Sequence, residues 1–144
     1  ILESGKRDGK KVKGKNVCVV GGGDAALENA LILAEFTNKV TLIHRRKDFR
    51  ARSEFVEKVR QNKRIEILNE TVLTRLIGDK SLEAIELKQN SRTFIYPTDF
   101  LLLRLGVEPN TEILQGQINL DQNGYCQIDA NCETSLKDIY AIGD

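Results

Sequence analysis

Residues 16–26 read NVCVVGGGDAA, a β-branched run that ends abruptly in three glycines. This stretch determines the fold class. Asn16–Val20 predicts a short strand, and the residues after it predict a helix that Asp24 can cap. Apolar residues then recur with helical spacing at Ala26, Leu27, Ala30, Leu31, Leu33 and Ala34. A second strand, Lys39–Ile43, follows after a short connection, so the segment has the strand–helix–strand order of a parallel sheet.

The glycine run fits the pattern G-x-G-x-x-G/A, which binds the pyrophosphate of a dinucleotide when a strand precedes it and a helix follows. Here the first glycine allows a tight turn, the third leaves the backbone open to a pyrophosphate, and the final alanine lets the helix pack closely on the strand. Three glycines can also form a simple sharp turn, so the flanking strand and helix carry the prediction. The predicted phosphate loop comprises Gly21, Gly22, Gly23, Asp24, Ala25 and Ala26.

The end of the second predicted strand distinguishes between the two common dinucleotides. An NAD site places an acidic residue there, about 20 residues beyond the glycines, to hold the ribose 2′-hydroxyl. This sequence has His44, Arg45 and Arg46 instead, with Arg50 four residues later. Guanidinium groups offer planar, paired donors that suit a 2′-phosphate. A solvated charge run is the alternative, but at this position of a strand–helix–strand unit the cluster favours NADP(H).

The remaining sequence up to Gly106 predicts a second helix at about Ala51–Gln61 and a buried strand, Asp99–Leu103. Between them, turn-forming residues separate three strand-like segments of a small antiparallel meander: Thr71–Ile77, Leu82–Lys88 and Thr93–Tyr96. The predicted fold class is therefore α/β, a Rossmann-like three-layer NAD(P)-binding domain with a parallel sheet and a small antiparallel β-meander.

Both ends of the chain differ in composition from its middle. Residues 1–14 are rich in lysine and glycine and predict a mobile, solvated segment. The last third contains glycines, a proline and two short strand candidates, Tyr125–Ile128 and Ile139–Ile142. The chain has 144 residues, begins at Ile1 and contains no methionine, so we expect it to be part of a longer protein.

Charge and composition exclude several classes of partner. The net charge is +1, and no aromatic residues interleave the basic cluster, so neither nucleic acid nor a membrane is an expected partner. A single histidine and three cysteines without C-x-x-C spacing argue against a metal site. The odd cysteine count suits a reducing compartment, and the cytoplasm is the expected location. Cys18 lies in an apolar run and is expected to be a small buried side chain.

Several segments together resemble the NADPH-binding domain of bacterial-type thioredoxin reductase: GGGDAALE at 21–28, VTLIHRR at 40–46, FRA at 49–51, GVEPNT at 106–111, and Thr134-Ser135 followed by IYAIGD at 139–144. The resemblance implies that residues 1–106 bind NADPH and that residues 107–144 begin the return to an FAD domain. It also implies that the basic cluster surrounds the 2′-phosphate, that Gly106 lies near the nicotinamide and that Asp144 contacts the flavin. No general acid or base in the sequence is a convincing catalytic residue, and we predict none in this chain.

In the intact protein, the resemblance implies hydride transfer from NADPH to FAD, a homodimer, and a redox acceptor protein of the thioredoxin or ferredoxin type. Thioredoxin reductases carry Cys-x-x-Cys before an Asp-Gly pair. If Asp8-Gly9 is that pair, Ser4 and Arg7 stand where the cysteines would be, and neither can form a disulfide. Two alternatives stay open: a ferredoxin–NADP reductase-like enzyme without a redox dithiol, and a non-catalytic NADP(H)-binding sensor.

Overall fold

The computed structural model describes residues 1–143. They form two compact units, Ile1–Gly106 and a second unit that begins at Val107. The first unit contains the strands β1 Asn16–Gly21, β2 Lys39–Ile43, β3 Ile65–Leu68, β4 Thr71–Ile77, β5 Ala84–Gln89, β6 Arg92–Pro97 and β7 Phe100–Arg104. Its helices are α1 Gly5–Asp8, α2 Asp24–Phe36 and α3 Ser53–Gln61. A 3₁₀ turn, Gly9–Val12, directly follows α1.

The strands of the first unit form two sheets. Four strands make a parallel sheet in the order β3-β2-β1-β7, and β4, β5 and β6 make an antiparallel meander. In β4 the register shifts between Leu73 and Arg75, which marks a bulge. The predicted βαβ start, the second helix and the meander are confirmed, with ends that move by one or two residues. The second helix begins at Ser53 and β5 begins at Ala84.

Two apolar cores give the first unit three layers. Alternate residues of a strand face opposite sides of a sheet. Val19 and Leu102 therefore belong to the core beneath the helices, which includes Leu27 and Leu33 of α2. Cys18 and Leu101 belong to a second core, which the parallel sheet shares with Ile85 and Leu87 of the meander. The predicted three-layer fold is confirmed. Cys18 is 1% exposed, and burial raises the pKa of its thiol to about 11.

The amino-terminal segment is ordered, so the prediction that residues 1–14 are mobile is wrong. Two close glycine contacts explain why: the Gly5 N–H donates to Asn29 Oδ1 at 2.6 Å, and a Cβ on Gly9 would lie 2.6 Å from the Phe36 ring. Leu2 joins the parallel sheet through a hydrogen bond from its N–H to the Leu101 carbonyl, 2.8 Å long. The glycines serve close packing on α2, while the lysines extend into solvent.

A buried carboxylate holds this segment together. Asp8 is 3% exposed, and its carboxylate accepts hydrogen bonds from Lys11 Nζ at 2.7 Å and from the N–H groups of Glu3 and Ser4 at 2.7 and 3.1 Å. The Lys11 ammonium, followed by these two backbone donors, lowers the pKa of Asp8 to about 2. Because the charged form is favoured in the folded state, Asp8 stabilises the fold above pH 4 and loses that effect as the pH falls towards 2.

Asp8→Asn is therefore expected to lower the free energy of unfolding by about 2 kcal/mol at pH 6, with about half of this difference lost by pH 3. Urea unfolding of both proteins at the two pH values measures it. Asp79→Asn, in the exposed turn after β4, is the matched control and should change little. If the wild type and the Asp8→Asn protein differed in stability by the same amount at both pH values, this role for Asp8 would be contradicted.

The second unit has little regular structure. It contains a 3₁₀ turn, Glu112–Leu114, and isolated β-bridges such as those of Cys126 with Leu120 and of Tyr140 with Glu133. The two strands predicted here, Tyr125–Ile128 and Ile139–Ile142, are therefore wrong: these residues make single bridges and no ladder. Besides scattered backbone hydrogen bonds, several backbone N–H groups bond to side chains, as where Asp121 Oδ1 accepts from Asn123 and Tyr125 at 2.7 and 2.9 Å.

In the described part of the chain, no helix combines the length and the hydropathy of a bilayer-spanning segment. Residues 1–143 also contain no group of three or more histidine, cysteine or acidic side chains placed to hold a metal ion.

Candidate dinucleotide-binding site

The sheet order places the predicted site residues of the first unit at one edge. In β3-β2-β1-β7, the chain leaves β1 towards β2 on one side and returns as β7 on the other. Such a reversal of strand order opens a crevice at the carboxyl ends of the strands, where α/β proteins bind their ligands. Gly21 at the end of β1 is in register with Arg104 of β7, and Val20 is in register with Ile43 of β2. The glycine loop thus lies between the loops that follow β2 and β7.

Gly21 and Ala26 allow a close approach of strand and helix. A Cβ on Gly21 would overlap the carbonyl oxygen of Arg104 and lie 2.7 Å from the Cβ of Ala26. A larger residue at either position would push α2 away from the sheet. The close packing predicted for Ala26 is present, and Gly21 takes part in the same contact.

Gly23 is the residue at which the backbone is open. It is the N-cap of α2 in an extended conformation, and a Cβ built on it meets no atom within 4 Å. Its carbonyl accepts from the N–H groups of Ala26 and Leu27 at 3.0 and 3.2 Å. The earlier N–H groups of a helix, here those of Asp24 and Ala25, have no partner inside the helix. A side chain at position 23 would extend into open space at the start of α2.

Gly22 connects the glycine loop to the loop after β2. Its carbonyl accepts hydrogen bonds from the N–H groups of Arg50 and Ala51, at 2.8 and 3.2 Å. On the side of its Cα it touches the imidazole of His44, which a Cβ would overlap. The basic segment is therefore held against the glycine loop by two backbone hydrogen bonds and by a contact with His44 that only glycine permits.

His44 lies beneath this junction. The residue is 7% exposed, its Nε2 is 3.0 Å from the Asp48 carbonyl oxygen, and its ring stacks on Phe49 with the ring centroids 5.1 Å apart. These contacts make His44 part of the floor of the loop. The sequence grouped His44 with the arginines around a phosphate, whereas the structure buries it with Nε2 at the Asp48 carbonyl.

The three arginines of the predicted cluster extend into solvent. The side chains of Arg45, Arg46 and Arg50 are exposed, and none forms an ion pair within residues 1–143. Their backbone is anchored, because the Glu70 N–H donates to the Arg46 carbonyl at 3.3 Å and the Arg50 N–H donates to Gly22. The result is a set of three available guanidinium groups on a loop that is tied to its neighbours.

The prediction that Asp24 caps α2 is wrong. The helix begins at Asp24 itself, with Gly23 as its N-cap and no capping bond from a side chain. The Asp24 carboxylate turns to Arg52, accepting from its N–H at 2.8 Å and from its Nε at 2.7 Å. These bonds lower the pKa of Asp24, the backbone N–H of Arg52 having the largest effect. Sequence reasoning missed Arg52, because 28 residues separate the two and no local pattern connects them.

Gly106 ends the first unit, two residues beyond β7. Its φ of +106° lies in the region that favours glycine, and a Cβ on it would meet open space. Gly106 therefore follows β7, which lies on one side of β1. The loop that carries Arg45, Arg46 and Arg50, here called the arginine loop, follows β2 on the other side. Asp144, the residue expected to contact a flavin, lies outside the described residues.

A family model described as pyridine nucleotide-disulphide oxidoreductase matches residues 1–144. The chain belongs to this family. Among curated relatives, it is 35% identical over 140 residues to the thioredoxin reductase of Mycolicibacterium smegmatis, which covers 95% of this chain and 45% of that protein. It is 36% identical over 136 residues to the thioredoxin reductase of Dictyostelium discoideum, covering 92% of this chain and 42% of that protein.

Solved structures of thioredoxin reductases share the fold of this family member. That of the Lactococcus lactis enzyme has a TM-score of 0.87 at 26% identity and covers 96% of this chain and 47% of that one. That of the T. acidophilum enzyme has a TM-score of 0.85 at 26% identity, over 97% of this chain and 47% of that one. The predicted resemblance to thioredoxin reductase is confirmed. The chain spans less than half the length of these relatives.

Proposed function

We propose that this chain of the pyridine nucleotide-disulphide oxidoreductase family binds NADPH and, in the intact protein, presents it to FAD. The observation that carries the proposal is the joining of two features at Gly22 that suit an anion: an open helix N-terminus on one side and three exposed guanidinium groups on the other. An NADPH molecule carries a pyrophosphate and a separate 2′-phosphate, so two such features suit it better than they suit NADH.

The pyrophosphate would lie over Gly23. The free N–H groups at the start of α2 and the positive end of the helix favour an anion there. The absence of a Cβ lets the phosphates approach these donors. Gly21 and Ala26 contribute by holding α2 close to β1.

The 2′-phosphate would bind to Arg45, Arg46 and Arg50. Each guanidinium can donate two parallel hydrogen bonds to phosphate oxygens. We assign His44 a positioning role, because its buried ring supports Gly22 and the turn that carries the arginines.

When bound, the nicotinamide supplies a hydride, which would pass to the flavin. Gly106 leaves open space beside the crevice where that ring would lie. We assign no catalytic residue to this chain: its groups would bind and orient the cofactor. The segment from Val107 would begin the return to an FAD domain, with Asp144 at the flavin. A homodimer, an acceptor protein of the thioredoxin or ferredoxin type, and a cytoplasmic location stay predictions.

Isothermal titration calorimetry of the chain with NADPH and with NADH tests the proposal. We expect NADPH to bind about 100-fold more tightly at low salt, because each charge-assisted hydrogen bond to the extra phosphate contributes about 1.5–3 kcal/mol before screening. The preference should shrink as salt is raised, because exposed charges are screened. Equal affinities, or no binding of either nucleotide, would refute it.

A second candidate, a ferredoxin–NADP reductase-like enzyme without a redox dithiol, is favoured by one feature of the amino-terminal segment. Ser4 is the N-cap of α1, and its Oγ accepts from the Arg7 N–H at 3.2 Å, so these two residues share one helical turn beside Asp8-Gly9. If they occupy the positions of the family's Cys-x-x-Cys, no disulfide can form there. The intact protein should then reduce ferricyanide with NADPH but should not reduce a disulfide substrate such as thioredoxin.

A further inference from the structure

We propose that Arg52 is a positioning residue of the nucleotide site, which neutralises the carboxylate of Asp24 so that this carboxylate does not repel the cofactor's pyrophosphate. This inference rests on the proposed function and concerns a residue outside the predicted cluster. Its basis is a conflict of charges: the first residue of α2 is acidic, although the start of that helix is where an anionic ligand would bind.

The geometry of the pair resolves this conflict. Asp24 Oδ1 accepts from the Arg52 backbone N–H at 2.8 Å, and Oδ2 accepts from its Nε at 2.7 Å. Both carboxylate oxygens therefore accept a hydrogen bond from one residue, Arg52, which lies in the loop between β2 and α3. The backbone N–H supplies one of the two bonds, and the guanidinium supplies the other through Nε together with its positive charge. Lysine at this position would keep the charge but not the planar donor group.

Arg52 is itself held in place by its neighbours. Its Nη1 lies 3.3 Å from Glu54 Oε1, and its guanidinium carbon lies 4.9 Å from the centroid of the Phe55 ring. It also follows directly on the two residues whose N–H groups bond to Gly22. Three consecutive N–H groups, those of Arg50, Ala51 and Arg52, thus join the arginine loop to the glycine loop and the start of α2.

This arrangement gives Arg52 an effect distinct from that of Arg45 and Arg46. The pyrophosphate is common to NADPH and NADH. An Asp24 carboxylate without the Arg52 guanidinium beside it would therefore weaken the binding of both nucleotides. A residue that bound the 2′-phosphate would affect NADPH alone. The two roles can therefore be separated by comparing the nucleotides.

The experiment measures the affinities of the whole chain for NADPH and NADH in the wild type and in the Arg52→Ala, Asp24→Asn and doubly substituted proteins. Arg52→Ala is expected to weaken both nucleotides about tenfold, the order expected for an uncompensated unit charge close to the phosphates. Adding Asp24→Asn should restore both affinities to within about threefold of the wild type, since the repelling charge is gone. Arg52→Lys should lose less affinity for both nucleotides than Arg52→Ala, because lysine keeps the positive charge.

Arg75→Ala is the matched control, because Arg75 pairs with Glu86 at 3.2 Å in the meander and its side chain is 65% exposed, as is that of Arg52. It should leave both affinities unchanged. Arg52→Ala and the double variant should have similar midpoints of thermal unfolding. Restored affinity in the double variant could then not be explained by restored stability.

Three outcomes would overturn the inference. A loss in Arg52→Ala that Asp24→Asn does not restore would mean that Arg52 contacts the cofactor or acts only through structure. A loss confined to NADPH would make Arg52 part of the 2′-phosphate cluster. If the wild type bound neither nucleotide, the proposed function would fail as well, whereas the first two outcomes leave it standing.

Discussion

Gly23→Val is expected to reduce the affinity for NADPH and for NADH by at least about 100-fold while the protein still folds. The valine side chain would enter the open space at the start of α2, where the pyrophosphate is proposed to bind, and would hold it away from the first N–H groups of the helix. Two charge-assisted hydrogen bonds would then be lost, each contributing about 1.5–3 kcal/mol. Folding should lose only about 1 kcal/mol, because the residue is extended and valine is merely a poor N-cap.

Calorimetry measures the affinities, and urea unfolding measures the stability of the same protein. Gly21→Ala is the contrasting variant, since its Cβ would overlap the Arg104 carbonyl oxygen and crowd Ala26. It should lower the free energy of unfolding by about 3 kcal/mol. Unchanged nucleotide affinity in the Gly23→Val protein would show that the glycine loop is only a turn.

Replacing Arg45 and Arg46 together with alanine should weaken NADPH about 100-fold and leave NADH within about twofold. Only NADPH carries the 2′-phosphate that these guanidinium groups are proposed to bind. Both side chains are exposed and make no ion pair within residues 1–143, so their removal should not disturb the fold. Titrations of both nucleotides at one salt concentration measure the effect.

The matched control removes two lysines from the amino-terminal segment, Lys10→Ala with Lys13→Ala. Both lysines are exposed and lie outside the proposed site. Their removal changes the net charge by the same amount as the removal of Arg45 and Arg46. It should bind NADPH within about twofold of the wild type, because exposed charges that do not contact the ligand are screened by salt. Equal losses for NADPH and NADH in the Arg45/Arg46 variant would place those arginines elsewhere than at the 2′-phosphate.

Local features of the first unit were predictable because their causes are local. The glycine loop, the β-branched run before it and the apolar face of α2 each depend on residues close together in sequence. Strand Lys39–Ile43 was predicted with the ends that the structure has. The order strand, helix, strand then requires a parallel sheet with its loops at one edge, so the position of the basic cluster followed as well.

Features that depend on distant partners could not be predicted. Tyr125–Ile128 has the residue types of a strand, but a strand requires a neighbour with which to form a ladder, and here only isolated bridges occur. Residues 1–14 resemble a solvated linker in composition, and their order depends on the fit of Gly5 and Gly9 against Asn29 and Phe36.

The amino-acid sequence was sufficient to specify the fold class, the glycine loop and the sign of the charge beyond the second strand, since each is written in consecutive or periodically spaced residues. The tertiary structure alone determined that His44 is buried under Gly22 and that Asp24 turns from its helix to Arg52. The partners in each of these contacts are more than 20 positions apart in the chain, and which side chains meet across such distances depends on how the layers pack, a property of the whole unit.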